Sequence, residues 1–204
     1  ALPATARPVV VDRRGAVRLA MTNEYSVLAL PVEVHCASSF YGGLPMALAR
    51  RDNVHHTYGD YLGWPEDVRY ELIGGAAYLM APAPDLLHQE IAGEIYRQLS
   101  TALIGAQCRA FIAPLDVRLP SAEEADEQIE TVVQPDVLVV CDAFKLDRRG
   151  VRGAPDLVVE VLSPSTAAHD HVAKRRVYER AGVREFWLVH PTDRMVTIYR
   201  LADG

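Results

Sequence analysis

The most constraining feature of this sequence is an apolar run that carries a single charge. Residues 157–162 read LVVEVL, and Glu160 is the charged residue. Apolar side chains at both odd and even positions are typical of a central β-strand that is covered on both faces. A carboxylate buried there without a partner is costly. The strand therefore requires a cation beside Glu160, either a basic side chain or a metal ion.

The order of elements along the chain predicts an α/β fold with a mixed sheet. Residues 1–52 show no clear pattern, and we assign them to an N-terminal extension of unknown role that precedes one domain over residues 53–204. The first half of that domain is predicted to contain a short helix in 57–64, a hairpin in 70–82 that turns at Gly74-Gly75, a helix over 85–103, and one or two strands in 108–120. An acidic loop in 121–132, a strand in 134–141, a loop or short helix in 142–153 and a strand in 155–162 follow. The last elements are a helix from Ser165 or Thr166 to Ala181 and strands in 185–191 and 195–201.

Charge and cysteine content narrow the function classes. The net charge of −6 does not favour a polyanion binder. Basic residues nevertheless form two clusters, which are either solvated faces or phosphate-tracking surfaces: Lys145, Arg148, Arg149 and Arg152, and then Lys174, Arg175, Arg176, Arg180 and Arg184. The three scattered cysteines predict neither a disulfide framework nor a zinc site, which indicates a reducing cytoplasm. No apolar run is long enough to span a membrane, and the N-terminus lacks a signal-peptide layout.

Two predicted strands begin with the same dipeptide, Pro-Asp, at Asp136 and Asp156. If the strands are neighbours, the carboxylates of Asp136 and Glu160 converge, and two close carboxylates repel unless a cation lies between them. Mg²⁺ binds oxygen ligands and commonly uses one or two carboxylates. The alternatives are a strand-end cap for Asp136 and a buried ion pair for Glu160.

The helix that follows Glu160 places a lysine on its apolar face. Asp170 and Tyr178 lie within about 60° of Lys174 on a helical wheel, at 100° per residue. Lys174 is therefore predicted to point inward, where it could stabilise charge on a phosphate; the alternative is an ordinary ion pair with Asp170 on a partly exposed face. His88 on the apolar stripe of the preceding helix is either a core histidine or a site residue. Glu71 is either a third carboxylate of the cluster or the solvent side of a hairpin.

The residues singled out so far resemble those of one known family. The segments RYELIGG, APAPDLLHQEI, QPDVLVV, PDLVVEVLSPST and HDHVAKRRVYERAGVREFWLVHP are similar, in the same order, to the Uma-two family of restriction endonuclease-like proteins in the PD-(D/E)xK nuclease superfamily. The resemblance implies a restriction-endonuclease-like fold, with a central mixed β-sheet flanked by α-helices, and hydrolysis of phosphodiester bonds with a divalent metal. It matches Asp136 to the PD aspartate and Glu160 to the second acid, with the carbonyl of Val161 as a further metal ligand.

The chain departs from that pattern at three positions. The superfamily's lysine lies two residues after the acid, where this chain has Leu162, and the family resembled takes a lysine from the next helix, which would be Lys174. Gly74 and His190 stand where the family usually has aspartates. Both changes fall outside the proposed metal pair.

Three functions are compatible with the sequence. The first is an endonuclease that cleaves DNA with Mg²⁺ or Mn²⁺, using Asp136, Glu160 and Lys174 as catalytic residues and Glu71, His88, Asp170 and Tyr178 in support. The second is a nuclease-like module that binds nucleic acid or a partner protein without cleavage. The third is a metal hydrolase acting on another phosphoester. The sequence does not distinguish DNA from RNA as the substrate, or a homodimer from a monomer.

Overall fold

The computed structural model describes residues 7–10, 51–65, 67–80, 85–162 and 170–201; side chains of the first segment and of residues 170–172 are not described. The predicted cap at Ser165 or Thr166 and the side chain of Asp170 lie outside the described residues. The described helices are α1 (Tyr58–Tyr61), α2 (Leu86–Ala102) and α3 (Asp170–Ala181). The described strands are β1 (Arg7–Val10), β2 (Tyr70–Ile73), β3 (Ala76–Leu79), β4 (Arg109–Ile112), β5 (Val117–Arg118), β6 (Val132–Val133), β7 (Val137–Val140), β8 (Leu146–Asp147), β9 (Gly150–Arg152), β10 (Leu157–Val161), β11 (Glu185–His190) and β12 (Met195–Arg200).

The first sheet has the strand order β1-β12-β11-β10-β7-β4. β10 runs parallel to β11, and the other neighbouring pairs are antiparallel. The sheet is therefore mixed, as predicted. β1 lies in the segment assigned as an extension and pairs with the edge of this sheet; the domain boundary at residue 53 stays a prediction.

β10 is covered on both faces, as its apolar pattern predicted. Val159 and Val161 pack with Ala92 and Ile95 of α2. Val158 points the other way, into a cluster that includes Tyr178 of α3. Alternation along the strand then directs Glu160 to the α3 side, together with Val158.

The second sheet was not predicted as such. Its strand order is β3-β2-β6-β5-β9-β8. The sequence predicted its first hairpin, β2–β3, correctly. The remaining strands have two or three residues each, which is too short for alternation to show in a sequence. As a result β6 lies at the end of the predicted acidic loop, and β8 and β9 lie in the segment predicted as a loop or short helix.

The predicted helices agree with the structure where it describes them. Asp85 caps α2, its carboxylate accepting a hydrogen bond from the backbone N–H of His88 at 2.8 Å. α3 ends at Ala181, and Gly182 follows in the left-handed conformation with φ of 84°. None of the described helices is long and apolar enough to cross a membrane.

The sequence predicted no disulfide framework, whereas the structure contains one disulfide. Cys108 and Cys141 form a disulfide between residues that are 33 positions apart. Arg109 lies opposite Val140 in the antiparallel β4–β7 pair. Cys108 directly precedes Arg109 and Cys141 directly follows Val140, so the same register places the two cysteines opposite each other. The two cysteines are close only because these strands pair, and their spacing in the sequence does not indicate the bond.

Gly150 provides a test of how the second sheet packs. Its φ is 114°, and an added Cβ would lie 2.3 Å from the carbonyl oxygen of Asp116. We expect Gly150→Ala to lower the free energy of unfolding by about 2 kcal/mol or more, from backbone strain and steric overlap. Gly93→Ala, where a Cβ in α2 meets nothing within 4 Å, should instead raise it by up to about 1 kcal/mol. Urea denaturation measures both, and equal effects would contradict the close approach of β9 to Asp116.

Candidate active site

Charged side chains from both sheets and from two helices meet at one buried point. Glu71 comes from β2, Glu160 from β10, Lys174 and Tyr178 from α3, His88 from α2, and Asp136 from the entry to β7. Glu71 is 2% exposed, Lys174 6% and Glu160 7%. A charge buried this deeply must be paired, and the pairings define the chemistry of the site.

Lys174 lies between the two sheets and pairs with an acid from each. Its Nζ is 3.0 Å from Oε1 of Glu71 and 3.2 Å from Oε1 of Glu160. The prediction that Lys174 points inward and lies within reach of Glu160 is confirmed. The partly exposed face of the alternative is wrong, because the lysine side chain is buried, whereas an ion pair with Asp170 lies outside the described side chains.

The carboxyl group of Glu160 is held by α3 and strongly perturbed. The hydroxyl of Tyr178 donates a hydrogen bond of 2.6 Å to Oε1 of Glu160. Burial raises the pKa of Glu160 from its ordinary value of 4.5 to about 8. The charge of Lys174 acts in the opposite direction, while the charges of Asp136 and Glu71 raise the pKa further. Without a bound cation, Glu160 therefore favours the protonated state near neutral pH.

Glu71 belongs to the cluster and does not face solvent. Its Oε1 accepts a hydrogen bond of 2.8 Å from the backbone N–H of Gln134, in addition to the contact with Lys174. Of the two interpretations that the sequence left open, the structure supports the third carboxylate. β2 thus contributes a site residue from the second sheet.

Asp136 caps the end of the neighbouring strand. Its Oδ2 accepts the backbone N–H of Val161, at the end of β10, at 2.7 Å. Asp156 does the same at the other end of the strand pair, where its Oδ2 accepts the N–H of Cys141 at 2.8 Å. Both Pro-Asp dipeptides are therefore strand-end caps, an alternative that the sequence had left open for Asp136.

Asp136 differs from Asp156 in its second partner. Nε2 of His88 is 3.2 Å from Oδ2 of Asp136. This hydrogen bond, with a smaller contribution from the charges of Asp136, Asp85 and Glu160, raises the pKa of His88 despite burial. His88 is thus a site residue and not merely part of the core. Its Nδ1 is buried and has no hydrogen-bond partner among the described atoms.

Asp136 and Glu160 lie on adjacent antiparallel strands. Val159 is opposite Val137, and continuing the register by one residue places Glu160 opposite Asp136. Directly opposite residues have Cβ atoms about 4.5–5.5 Å apart. The predicted adjacency is confirmed, and the two charges are close enough for Asp136 to raise the pKa of Glu160.

The donor set fits a hard divalent ion held by few side chains. No group of three His, Cys, Asp or Glu side chains among the described residues could hold a metal ion. Asp136 and Glu160 offer carboxylate oxygens, and the backbone carbonyl of Val161, the residue after Glu160, is the further ligand that the sequence predicted. All are oxygen donors, and Mg²⁺ commonly binds through only one or two carboxylates while it keeps several waters. The residues therefore fit Mg²⁺ or Mn²⁺ in this mode, and they do not fit a zinc site.

Gln134 is a site residue that the sequence analysis missed. Its backbone holds Glu71, its side-chain oxygen accepts from Arg69, and its Nε2 donates to Oδ1 of Asp116 at 2.7 Å. Burial raises the pKa of Asp116, whose Oδ1 also accepts a 3.2 Å hydrogen bond from Tyr61. Gln134 thus connects the entry to β7 with the second sheet. Its position directly before Pro135-Asp136 was the only signal in the sequence.

The raised pKa of Glu160 makes stability depend on pH. Between its unfolded value near 4.5 and its folded value of about 8, the folded protein holds a proton that the unfolded chain has released. The free energy of unfolding should therefore fall as pH rises through this window. In Glu160→Gln most of this fall should disappear, a difference on the order of a few kcal/mol, and the raised pKa of His88 should leave a smaller fall.

Urea denaturation in EDTA at about pH 5 and about pH 8.5 measures this difference. Glu90→Gln on the exposed side of α2 is the matched control and should keep the wild-type dependence. If Glu160→Gln shows the same loss of stability with pH as the wild type, Glu160 is not the titrating group.

Comparison with known proteins identifies the fold and the family. The Uma2 family model, described as "Putative restriction endonuclease", matches residues 58–204. An uncharacterized protein of Synechocystis is 30% identical over 149 residues, which cover 71% of this chain and 73% of that protein. A crystal structure titled as a putative nuclease belonging to DUF820, from Anabaena variabilis, matches with a TM-score of 0.57 and 23% identity over 72% of this chain and 81% of that one. The fold is accordingly α/β and restriction-endonuclease-like, and the chain belongs to the Uma2 family of restriction endonuclease-like proteins.

Proposed function

We propose that this protein is a nuclease that hydrolyses phosphodiester bonds of DNA with Mg²⁺ or Mn²⁺. The observation that carries the proposal is the convergence of Asp136, Glu160 and Lys174, which come from three separate elements. Asp136, Glu160 and the carbonyl of Val161 would hold the metal. A divalent ion there would polarise the phosphodiester and promote ionisation of a water molecule at neutral pH.

Lys174 supplies the positive charge that the reaction needs on the protein side. Glu71 and Glu160 hold its ammonium in place. A fixed ammonium beside the scissile phosphate stabilises the charge that develops there, without reorganisation during the reaction. Tyr178 has the supporting role of fixing Oε1 of Glu160.

His88 acts as a positioning residue for Asp136. Two hydrogen bonds to the same oxygen, from His88 and from the N–H of Val161, restrict the orientation of the carboxylate. Oδ2 takes both of these bonds, and a carboxylate has lone pairs on each of its two oxygens. Capping the strand is therefore compatible with binding a metal through the same side chain.

A nuclease-like module that binds without cutting is the second candidate. The observation that favours it is that Lys174 already contacts two carboxylates, so that the buried cluster is largely neutralised without substrate or metal. A cleavage assay on supercoiled, linear and branched DNA with Mg²⁺ and Mn²⁺ separates the two. Binding without metal-dependent cleavage would support the module.

We propose a cytoplasmic location only because the proposed substrate is DNA. The sequence had indicated the cytoplasm from unpaired cysteines, and the disulfide between Cys108 and Cys141 removes that argument. DNA as substrate is the remaining reason for it. A homodimer is not required, because the residues proposed for the site come from one chain.

Asp136→Asn and Glu160→Gln test the metal ligands. Each substitution is nearly isosteric but removes a charge, so we expect weaker Mn²⁺ binding by roughly tenfold or more and loss of cleavage. Asp156→Asn is the matched control, because Asp156 caps a strand in the same way without Glu160 nearby. Calorimetric titration with Mn²⁺ measures the affinity. Wild-type affinity in Asp136→Asn, or an equal loss in Asp156→Asn, would contradict the assignment.

Lys174→Met tests the role of the lysine. Methionine keeps much of the apolar stem but lacks the ammonium, so the cleavage rate should fall by about 10²–10³-fold while Mn²⁺ still binds. Arg175→Met changes the neighbouring exposed residue of the same helix and should leave the rate within a few-fold of wild type. Mn²⁺ saturation, measured separately, shows that the site is still formed. A Lys174→Met variant that cleaves at the wild-type rate would exclude the lysine from catalysis.

A further inference from the structure

The two basic clusters of the sequence have different surroundings in the folded chain. In the first cluster, Arg152 forms an ion pair with Asp126 at 2.7 Å, and Arg149 lies 3.4 Å from Glu127. The ammonium of Lys145 donates to the carbonyl of Ala154 at 2.8 Å. Carboxylates of the acidic loop thus neutralise much of the positive charge of this cluster. Of the two interpretations that the sequence left open, a solvated face fits the first cluster better than a phosphate-tracking surface.

Arg176 and Arg180 of the second cluster have no ion-pair partner among the described residues. Both are exposed. Arg184 lies beyond the end of α3, and although its side chain is 80% exposed it forms an ion pair with Asp156 at 3.4 Å. We call Arg176 and Arg180 the α3 arginine strip.

The strip lies on the opposite side of α3 from the catalytic lysine. At 100° per residue, Arg176 is about 200° from Lys174, and Arg180 is about 200° from Tyr178. One side of the helix therefore faces the buried cluster and the other faces solvent. Docking of a ligand on the strip would involve the same rigid element that positions Lys174 and Glu160.

The chemistry of the strip suits phosphate groups. Both residues are arginines, whose planar guanidinium groups donate bidentate hydrogen bonds to phosphate oxygens more readily than lysine does. Arg176 and Arg180 are four residues apart, which is about 6 Å along the helix axis. In a chain with net charge −6, two exposed arginines without an ion-pair partner among the described residues form a local positive region that a polyanion would recognise.

We infer that the α3 arginine strip binds the phosphate backbone of duplex DNA and holds it on the protein while the site acts. The inference rests on the proposed nuclease function. It assigns the strip to affinity and not to the reaction, since the arginines touch none of the site residues. The binding it provides is independent of base sequence, because phosphate contacts position a duplex without reading it.

The double variant Arg176→Gln, Arg180→Gln tests this inference. Binding to a fluorescent duplex is measured in EDTA over a range of about 50 to 200 mM salt, where each lost phosphate contact lowers the slope of log affinity against log salt by about 0.9. We expect the slope to fall by between one and two, and the affinity at the lowest salt to fall by roughly tenfold or more. The control Arg97→Gln, Arg149→Gln removes the same charge from exposed arginines that have carboxylate partners.

The outcomes separate this inference from the proposed function. A weaker, less salt-dependent double variant beside an unchanged control supports the strip, even if the wild type never cleaves, in which case only the nuclease proposal fails. Equal binding by the double variant and the control overturns the strip, while metal-dependent cleavage by the wild type would still support the nuclease. A wild type that binds no DNA overturns both. Loss of binding to anionic phospholipid vesicles in the double variant, with no binding of DNA by the wild type, would assign the strip to a membrane surface instead.

Discussion

The ammonium of Lys174 is the interaction on which the arrangement of the site depends. It lies within hydrogen-bonding distance of Glu71 from the second sheet and of Glu160 from the first. Without it, two buried carboxylates would face each other and one of them would have to take up a proton. The lysine thereby allows the two sheets to meet around buried acids. Burial keeps the pKa of Glu160 high despite the ammonium, and a divalent cation there would favour the ionised carboxylate.

The two Pro-Asp dipeptides show that a motif acquires a role from its neighbours. Asp136 and Asp156 each enter a strand and each cap an N–H of the other strand's far end. The caps are equivalent because β7 and β10 are antiparallel, so that each strand begins where the other ends. Only at the Asp136 end do His88 and Glu160 come near, whereas at the other end Asp156 meets Arg184. The Pro-Asp dipeptide therefore has only a capping role at the Asp156 end of the β7–β10 pair, whereas at the Asp136 end it also lies among the residues of the candidate site.

The sequence predicted those parts of the protein that local periodicity determines. A continuous apolar run marked β10 and the anomalous Glu160, and a period of 3.6 predicted that Lys174 and Tyr178 point inward before any partner was known. What it could not predict depends on pairing between distant segments. The second sheet is built largely from two- and three-residue strands, and the disulfide joins residues that only the β4–β7 register brings together. Gln134 was missed for the same reason, since its partners Glu71, Arg69 and Asp116 come from other segments.

The position of Leu162 explains why the lysine can come from a helix. Residues 160 and 162 point to the same side of an extended chain, so a lysine at 162 would reach the space that Lys174 now fills. Leu162 instead packs against the core beneath α3 together with Val158 and Tyr178. This packing anchors the helix that carries the lysine, and the helix holds the ammonium above the sheet, where it reaches Glu71 as well as Glu160. A lysine at position 162 would start from the first sheet, whereas Lys174 starts from α3 and contacts an acid of each sheet. Moving the charge from strand to helix thus keeps the cation at Glu160 and adds a connection to the second sheet.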